Sequence, residues 1–306
     1  MSRIHDALKR AEQERATAMG THVEPAAGSQ PEVASATMPP LQSSVDSAMP
    51  GAIVLNYETL LARCPQTNWT PDERTMLFFQ DEDESRRGAE EFRTLRSRLY
   101  QIREKLPIKR ILITSSLPKE GKSFTAANLA QVLARQHGRR SLVIDADLRN
   151  PGLHRHFGTK RTPGLSDYLL GECDELAPLQ RGPMENLFFI PAGKVVGGAT
   201  ELLGNGRLKL LMQRLESLFD WIILDTAPVI PVSDTTLVGG VVDGVVMVVR
   251  SHVTPTSIAQ RAREEFPDKL LLGVVLNGVP QEDFKYGRYY YYGKYYYGRS
   301  HYRYRN

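Results

Sequence analysis

The sequence predicts an α/β fold, a doubly wound and mostly parallel sheet, and three observations predict it. Six short apolar runs, rich in β-branched and aromatic residues, recur between residues 110 and 276. Helical stretches separate most of these runs, as expected when crossover helices join parallel strands. The runs are continuously apolar rather than alternating, which indicates strands buried on both faces of the sheet.

The elements follow from these patterns in chain order. A helix is predicted over residues 86–105, and the first strand follows at 110–115. The other strands are predicted at 141–146, 186–191, 221–225, 243–249 and 271–276. In an open sheet of this kind the ligand site lies at the carboxyl ends of the strands.

The segments outside the main domain, which we place at 84–280, have different compositions. Residues 1–17 are predicted to form an amphipathic helix, and both a frayed helix and a docking helix for a partner remain open. Residues 18–50 are rich in Pro, Ala, Ser and Gly, so we expect a disordered linker. The 51–83 segment carries scattered apolar residues and is interpreted as a lead-in to the main domain. Residues 281–306 are predicted to be a flexible tail.

The tail is rich in tyrosine. Its last 22 residues hold ten of the 13 tyrosines of the chain, six Lys or Arg, and no Asp or Glu. These tyrosines are Tyr286, Tyr289, Tyr290, Tyr291, Tyr292, Tyr295, Tyr296, Tyr297, Tyr302 and Tyr304. Such a tail is either a substrate for tyrosine chemistry or an arm that stacks on nucleic-acid bases.

The net charge of +4 comes from this tail. Without its six positive charges the chain has 33 basic and 35 acidic residues, so the body carries no basic excess. This argues against a general nucleic-acid-binding body. Only Cys64 and Cys173 occur, far apart, which favours a reducing cytoplasm over a disulfide scaffold or a zinc site. Neither a transmembrane helix nor a signal peptide is predicted.

The first motif follows the first predicted strand. Gly121, Lys122 and Ser123 open a helix after a short loop, where backbone N–H groups and the helix N-terminus can cradle phosphates. Lys122 is expected to reach the β- and γ-phosphates and the Ser123 hydroxyl to coordinate Mg²⁺. Ser116 stands where the usual pattern has glycine. An ordinary helix cap is the alternative interpretation.

The second motif ends the next predicted strand. Asp145 and Asp147 are two residues apart, so strand alternation places both side chains on the same side. Two close carboxylates repel, which calls for a cation or a shared proton between them. A helix cap combined with a surface ion pair to Arg149 is the alternative.

The third motif is Asp225, which follows three apolar residues at the end of another predicted strand. An aspartate at this place is the Mg²⁺-associated position of P-loop nucleotide enzymes. Any one motif could arise by chance. Three motifs in this order, on three predicted parallel strands, predict a nucleotide site of the P-loop NTPase type.

The three motifs and the tyrosine tail resemble the bacterial tyrosine kinases of polysaccharide synthesis, the BY-kinases, which use a P-loop fold. The DxDxR element from Asp145 to Arg149 is typical of that family. Glu90, Arg93 and Arg96 match its ExxRxxR oligomerisation motif. The N-terminal MSRIHDALKRA resembles the start of kinases found with exosortase-type export systems.

The chain also departs from the family pattern. Lys119 replaces a frequent glycine in the loop, and Ala227 replaces a frequent proline. Cell-division and partitioning ATPases carry an extra lysine where this chain has Leu117, so they match less well. GTP-specific switch proteins recognise the base with an Asn-Lys-x-Asp sequence. Here Asn277 is followed by Gly-Val-Pro, which favours ATP. Asp234 also matches the family, without an assigned role.

The resemblance implies ATP and Mg²⁺ as cofactors and a set of site residues. The residues implied in nucleotide binding are Ser116, Pro118, Lys119, Glu120, Gly121, Lys122, Ser123, Phe124 and Asn277, the last near the adenine. The implied metal-associated residues are Ser123, Asp147 and Asp225. The implied catalytic residues are Lys122, Asp145, Asp147, Arg149 and Asp225, with Asp145 as acceptor of the tyrosine proton.

The function so implied is a protein-tyrosine autokinase that phosphorylates its own tail in trans and regulates exopolysaccharide or capsule polymerisation and export. Its implied partners are further copies in a ring-like homo-oligomer, a membrane-embedded chain-length regulator or activator, and a cognate tyrosine phosphatase. We expect a cytoplasmic protein recruited to the inner face of the plasma membrane, without a stable nucleic-acid partner. The alternative is a P-loop ATPase switch whose Tyr- and Arg-rich tail binds nucleic acid.

Overall fold

The computed structural model describes residues 55–79 and 88–280. The predicted helix at 1–17, the linker at 18–50 and the tail at 281–306 with its ten tyrosines lie outside the described residues.

A seven-stranded sheet forms the centre of the described structure. Its strands are β1 Arg110–Ser115, β2 Ser141–Asp145, β3 Gln180–Arg181, β4 Leu187–Ile190, β5 Trp221–Asp225, β6 Gly244–Arg250 and β7 Leu270–Asn277. The order is β3-β4-β2-β5-β1-β6-β7. All neighbours run parallel except β3, which is antiparallel to β4. The predicted fold class and all six predicted strands are confirmed, whereas the two-residue β3 was too short to predict.

The helices connect and cover these strands. They are α1 Tyr57–Arg63, α2 Ala89–Arg103, α3 Lys122–Ala134, α4 Leu153–Phe157, α5 Leu165–Leu169, α6 Ala199–Leu203, α7 Arg207–Leu215, α8 Asp234–Gly239 and α9 Thr256–Glu264. The helix predicted at 86–105 forms as α2. Helix α3 is buried along most of its length, including its polar residues Thr125, Asn128 and Gln131, as expected for a helix at the centre of a sheet face.

Two apolar layers form the core, one on each face of the sheet. Ile111 and Ile113 of β1 face the layer that includes α2 and α3. Leu112 faces the opposite layer, which includes α5 to α9. This alternation along one strand follows from the two-residue period of side chains in a sheet.

The prediction that every strand is buried on both faces is wrong for β7. This strand is at the edge of the sheet, and Leu270, Val274 and Leu276 are 41%, 56% and 57% exposed. A continuous apolar run does not distinguish an edge strand from a central one, because strand order depends on contacts far apart in sequence.

The described part of the lead-in packs on the main domain through a segment that we call the strap, residues 72–79. Its backbone is held by two buried polar side chains on α3. Asn128 Oδ1 accepts a hydrogen bond from Leu77 N at 2.8 Å, and Gln131 Oε1 accepts one from Phe78 N at 3.3 Å. Asn128 Nδ2 also donates to Thr75 O at 2.8 Å. These bonds satisfy buried polar groups that would otherwise destabilise the core.

Candidate active site

The three motifs meet at one edge of the sheet. Strand β5 lies between β2 and β1, so the ends of all three strands are adjacent. Asp145 of β2 is directly opposite Asp225 of β5 in the strand register. The loop of the first motif follows β1 at the same edge.

The loop is fitted closely to the end of β7. Gly121 has φ of +98°, and a Cβ built on it would lie 1.9 Å from Asn277 Nδ2. That same amide nitrogen donates to Glu120 O at 2.8 Å. Glycine is required here both for its positive φ and for this close approach. Asn277 therefore positions the loop through its hydrogen bond to the Glu120 carbonyl.

Two further contacts hold the loop. Lys119 has φ of +64°, a conformation that favours glycine, and its carbonyl accepts a hydrogen bond from Arg250 Nη1 at 3.0 Å. The buried Glu120 carboxylate accepts from Leu117 N at 2.7 Å and from the Thr254 hydroxyl. The loop is thus pre-arranged by its own residues and by the segment after β6.

Lys122 lies among carboxylates. Its Nζ donates to Asp147 Oδ2 at 2.8 Å and is 3.4 Å from Ser123 Oγ. Burial disfavours the ammonium, but Asp225, Asp147 and Asp145 outweigh it, and the net effect raises the pKa of Lys122. The Lys122 ammonium thus compensates part of the negative charge of these carboxylates.

Asp145 is fully buried beneath this lysine. Its Oδ2 accepts hydrogen bonds from Gly152 N and Leu153 N, both at 3.1 Å, at the start of α4. Its Oδ1 has no hydrogen-bond partner within the described ranges. Burial, followed by the neighbouring Asp225 carboxylate, raises the pKa of Asp145 to about 8. The helix-cap alternative is thus partly correct for this residue. Asp145 also belongs, with Asp147 and Asp225, to the carboxylates around Lys122, which we call the carboxylate cluster.

Asp225 is the other fully buried carboxylate. Neither of its oxygens has a hydrogen-bond partner among residues 55–79 and 88–280. Burial outweighs the nearby Lys122 ammonium and Ser123 hydroxyl and raises the pKa of Asp225 to about 6. Unpartnered carboxylate oxygens beside a serine hydroxyl are the hard oxygen donors that Mg²⁺ prefers, so these residues fit that cation.

Arg149 points away from the carboxylate cluster. Its Nε donates to Asp234 Oδ2 at 2.6 Å, and its Nη2 donates to Asp234 Oδ1 at 3.0 Å and to Thr200 Oγ1 at 2.9 Å. Thr200 Oγ1 donates to the same carboxylate at 2.6 Å. Burial opposes the charged carboxylate, but the bonds from Arg149 and Thr200 lower the pKa of Asp234. A surface pair of Arg149 with Asp145 or Asp147 does not form.

The remaining predicted residues occupy different places. Ser116 is buried, whereas Pro118 is exposed on the loop. The Phe124 ring packs 5.8 Å from that of Phe92 on α2. The residues predicted to mediate oligomerisation, Glu90, Arg93 and Arg96, lie on α2, where Arg93 pairs with Glu90 at 3.0 Å and Arg96 Nη1 donates to Val132 O at 3.1 Å. The tail tyrosines are outside the described residues.

The sequence analysis missed the clamp that Asp234 and Thr200 place on Arg149, and the contacts of Glu120. Asp234 follows the largely apolar run 227–232, which was the available signal for it, whereas Glu120 lies between two lysines in a polar loop and had no such signal. Nothing in the local pattern marks Thr200.

Comparison with curated proteins identifies the family. No family model matches the chain. The chain is 36% identical to the tyrosine-protein kinase YwqD of Bacillus subtilis over 207 residues, covering 67% of this chain and 86% of YwqD. The chain belongs to the bacterial tyrosine-protein kinases. The present chain, which we call the kinase from here on, is also 34% identical to the tyrosine-protein kinase CpsD of Streptococcus agalactiae over 182 residues. The match covers 58% of the kinase and 79% of CpsD.

Longer relatives match over part of their length. The tyrosine-protein kinase wzc of Salmonella typhimurium is 30% identical over 207 residues, which cover 67% of the kinase but 29% of wzc. The kinase therefore spans less than a third of that relative.

Solved structures agree with this assignment. The kinase domain of the Escherichia coli tyrosine kinase ETK is similar with a TM-score of 0.58 at 30% identity, covering 62% of the kinase and 75% of that domain. The chimerical protein CapA2B2 is similar with a TM-score of 0.64 at 27% identity, covering 74% of the kinase and 100% of CapA2B2. Of the helices described, none is long and apolar enough to cross a membrane.

Proposed function

We propose that the kinase transfers the γ-phosphoryl group of ATP to tyrosines in the C-terminal tail of a neighbouring copy. The observation that carries this proposal is the position of Lys122, which follows β1 and lies among three carboxylates from the ends of the neighbouring strands β2 and β5. A phosphoryl donor site and a run of tyrosine acceptors are thus present in one chain.

Each site residue has a proposed task. Lys122 and the backbone N–H groups of the loop neutralise charge that grows on the γ-phosphoryl oxygens. Ser123, Asp147 and Asp225 would hold Mg²⁺. When bound, the cation supplies further charge neutralisation on the phosphates. Arg149 is proposed to face phosphate or a neighbouring subunit from the clamp made by Asp234.

Asp145 is the proposed acceptor of the phenolic proton. A free tyrosine has a pKa of about 10, so little phenolate exists at neutral pH. A carboxylate with a raised pKa is a stronger base once it is ionised, and the Lys122 ammonium beside Asp145 favours the ionised form. Its unpartnered Oδ1 is the atom available for this role.

The tail is long enough to reach another copy. Twenty-two extended residues span roughly 70 Å, whereas a compact domain of about 200 residues has a radius of gyration of about 16 Å. Each phosphate adds about −1.5 to −2 charges at pH 7, so four would at least cancel the six positive charges of the tail and five would reverse them. Phosphorylation would thereby reverse the charge of the tail and loosen a ring of copies built through Glu90, Arg93 and Arg96.

The cellular role is proposed from the relatives. One relative, 32% identical, is the succinoglycan biosynthesis transport protein ExoP of Rhizobium meliloti. We propose that the kinase likewise regulates exopolysaccharide or capsule polymerisation and export, at the inner face of the plasma membrane. Its proposed partners are a membrane-embedded chain-length regulator or activator and a cognate tyrosine phosphatase.

The test is mass spectrometry of the full chain after incubation with ATP and Mg²⁺. We expect several phosphotyrosines within residues 286–304 of the wild type and none in Lys122→Met. Lys209→Met changes an exposed lysine on α7 and serves as the matched control, with wild-type phosphorylation expected. An unmodified wild-type tail, or a Lys122→Met tail modified as in the wild type, would refute the proposal.

Transfer between copies needs a mixing experiment. Full-length Lys122→Met supplies an intact tail without its own activity, and wild type truncated after residue 280 supplies activity without a tail. We expect phosphate on the Lys122→Met tail in the mixture. Phosphorylation in full-length wild type with none in the mixture would show transfer within one chain instead.

A further inference from the structure

Helix α4 carries an arginine beside the candidate active site that none of the sequence motifs includes. A Cβ built on Gly152, at the start of α4, would lie 3.7 Å from Arg155 Nη2 and 3.9 Å from Ser123 Oγ. The two side-chain atoms are therefore separated by no more than the sum of these distances. Gly152 has no side chain to fill the space between them. Arg155 thus borders the place where Ser123 is proposed to hold Mg²⁺.

The backbone of α4 is held at both ends. At its start, Gly152 N and Leu153 N donate to the buried Asp145 carboxylate, both at 3.1 Å. Leu153 and Phe157 are fully buried and four residues apart, so they face the core together. Arg155 is two residues from each and is exposed on the other side of the helix, the side on which Gly152 also lies. Only the side chain of Arg155 therefore has to move to reach a ligand.

Arg155 and Arg149 differ in their partners. Arg149 donates three hydrogen bonds to Asp234 and Thr200. The Arg155 guanidinium makes no hydrogen bond or ion pair with any residue of the ranges 55–79 and 88–280. Arg155 can therefore bind an anion without giving up a contact in this part of the chain, whereas Arg149 would have to release its acceptors.

Arg155 is also the charged residue of α4 at neutral pH. The other titratable residues of this helix are His154 and His156, and burial lowers the pKa of both below the usual value for histidine. A guanidinium stays protonated at any physiological pH. The positive charge that α4 brings to the site thus comes from Arg155.

The charge balance of the site leaves a task for a further cation. When ionised, the three carboxylates of the carboxylate cluster are balanced by Lys122 and one divalent cation, which leaves no excess positive charge for a nucleotide. The γ-phosphoryl group of ATP adds negative charge that ADP lacks. A guanidinium offers a full charge and a planar fork of donors that matches phosphate oxygens.

We propose that Arg155 contacts the γ-phosphoryl group of bound ATP and neutralises charge on its oxygens. Two hydrogen bonds of about 3 Å, joined through one phosphate group, span a separation like that between Arg155 and Ser123. Helix α4 lies on the side of Asp145, the proposed proton acceptor, which favours the transferred γ-phosphoryl group over the β-phosphate. The order of the phosphates along the site rests on the proposed function, whereas the position of the guanidinium does not.

The test compares two nucleotides that differ in the γ-phosphate. Full-length wild type and Arg155→Ala are titrated by calorimetry with ADP and with adenylyl imidodiphosphate, an ATP analogue that resists hydrolysis, each with Mg²⁺. In Arg155→Ala we expect the Kd of the analogue to rise about tenfold, the effect of one charge-assisted hydrogen bond, and the Kd of ADP to change less than about twofold. A residue that only supported the fold would weaken both nucleotides alike.

Two further variants locate the effect. Arg155→Lys keeps a positive charge without the planar fork, so we expect an intermediate loss of affinity for the analogue. Arg139→Ala removes an exposed arginine that pairs with Asp220 before the amino ends of β2 and β5, and it should bind both nucleotides within about twofold of the wild type. Thermal unfolding checks that each variant is folded, and Arg155→Lys provides the test if Arg155→Ala is not.

Two results would overturn the proposal: unchanged affinity of folded Arg155→Ala for the analogue, or an equal loss for both nucleotides. Neither measurement involves the tail. A γ-phosphate-dependent effect of Arg155 together with an unmodified wild-type tail would refute the autokinase and keep this contact. A phosphorylated wild-type tail together with normal nucleotide binding by Arg155→Ala would keep the autokinase and refute the contact. A wild type that binds neither nucleotide would refute both.

Discussion

The two ends of helix α3 differ in charge and in burial. At its start, Lys122 lies among three carboxylates, and Asp145 and Asp225 are completely buried. At its end, Arg135 joins Arg93 and Arg96 around a cavity, and the three side chains are only partly buried. One helix therefore connects an acidic, buried site to a basic, accessible one.

The two ends therefore differ in how much the charged groups cost the folded chain. Buried carboxylates destabilise the folded chain unless a cation compensates them, so the first site favours binding of a metal ion together with phosphates. Partly exposed arginines keep their charged groups in contact with water, so their burial carries little penalty for the folded chain.

The first prediction is that rising pH destabilises the chain free of nucleotide and Mg²⁺. Folding raises the pKa of Asp225 to about 6 and of Asp145 to about 8, so the folded chain binds more protons than the unfolded chain from about pH 4 to 8. Stability conferred by these protons is lost as pH rises through the folded pKa values. We expect the thermal midpoint to fall by at least about 5 °C between pH 5 and pH 8.

Calorimetry with Asp225→Asn supplies the control for this pH dependence. The variant removes one buried charge, so its midpoint should fall less steeply with pH. Addition of ATP and Mg²⁺ should raise the wild-type midpoint more at pH 8 than at pH 5, because the cation stabilises the ionised carboxylates. A wild-type midpoint that is flat or rises over this range would contradict the expected direction.

The second prediction concerns the strap, which Asn128 and Gln131 hold on α3. Gln131→Leu removes the acceptor for the buried Phe78 N–H, and we expect a loss of about 2 kcal/mol in the free energy of unfolding. Gln101→Leu makes the same change at an exposed position on α2 and should alter stability by no more than about 0.5 kcal/mol. Denaturant titration compares the two variants.

The third prediction concerns the clamp on Arg149. Asp234→Asn replaces a charged bidentate acceptor with a neutral group, so Arg149 loses its fixed position. We expect kcat to fall about tenfold with little change in KM for ATP, since the lysine and the loop are untouched. Asp268→Asn, an exposed aspartate, is the matched control. Equal kcat in both variants would show that the clamp has no part in positioning.

The fourth and smallest effect is expected at Lys119 in the loop. Its φ of +64° is unfavourable for a side chain, whereas glycine adopts it freely but gains entropy in the unfolded chain. Lys119→Gly should therefore be more stable than the wild type by no more than about 1 kcal/mol. Gly121→Ala in the same loop should be clearly destabilising, because its Cβ would lie 1.9 Å from Asn277 Nδ2. Thermal unfolding of both variants ranks them, and a stability loss in Lys119→Gly would contradict the expected sign.

Much of the fold was predictable because the signals are local. Continuous apolar runs predicted the six main strands, and the residues at their ends identified the three motifs. The exposed edge position of β7 was not predictable, because its apolar run resembles those of the central strands. The strap was likewise missed, since Asn128 and Gln131 are polar residues in a buried helix and their partners lie about 50 positions earlier.

The sequence by itself determined the fold class, the order of the three motifs along the chain and the tyrosine-rich composition of the tail, because each depends on neighbouring residues. The tertiary structure decided that β5 inserts between β1 and β2, which places Asp225 opposite Asp145. It also joined Asp234 to Arg149 and brought Arg93 and Arg96 of α2 together with Arg135, which follows α3. Such placements depend on how distant segments pack to bury apolar surface, and no local pattern specifies them.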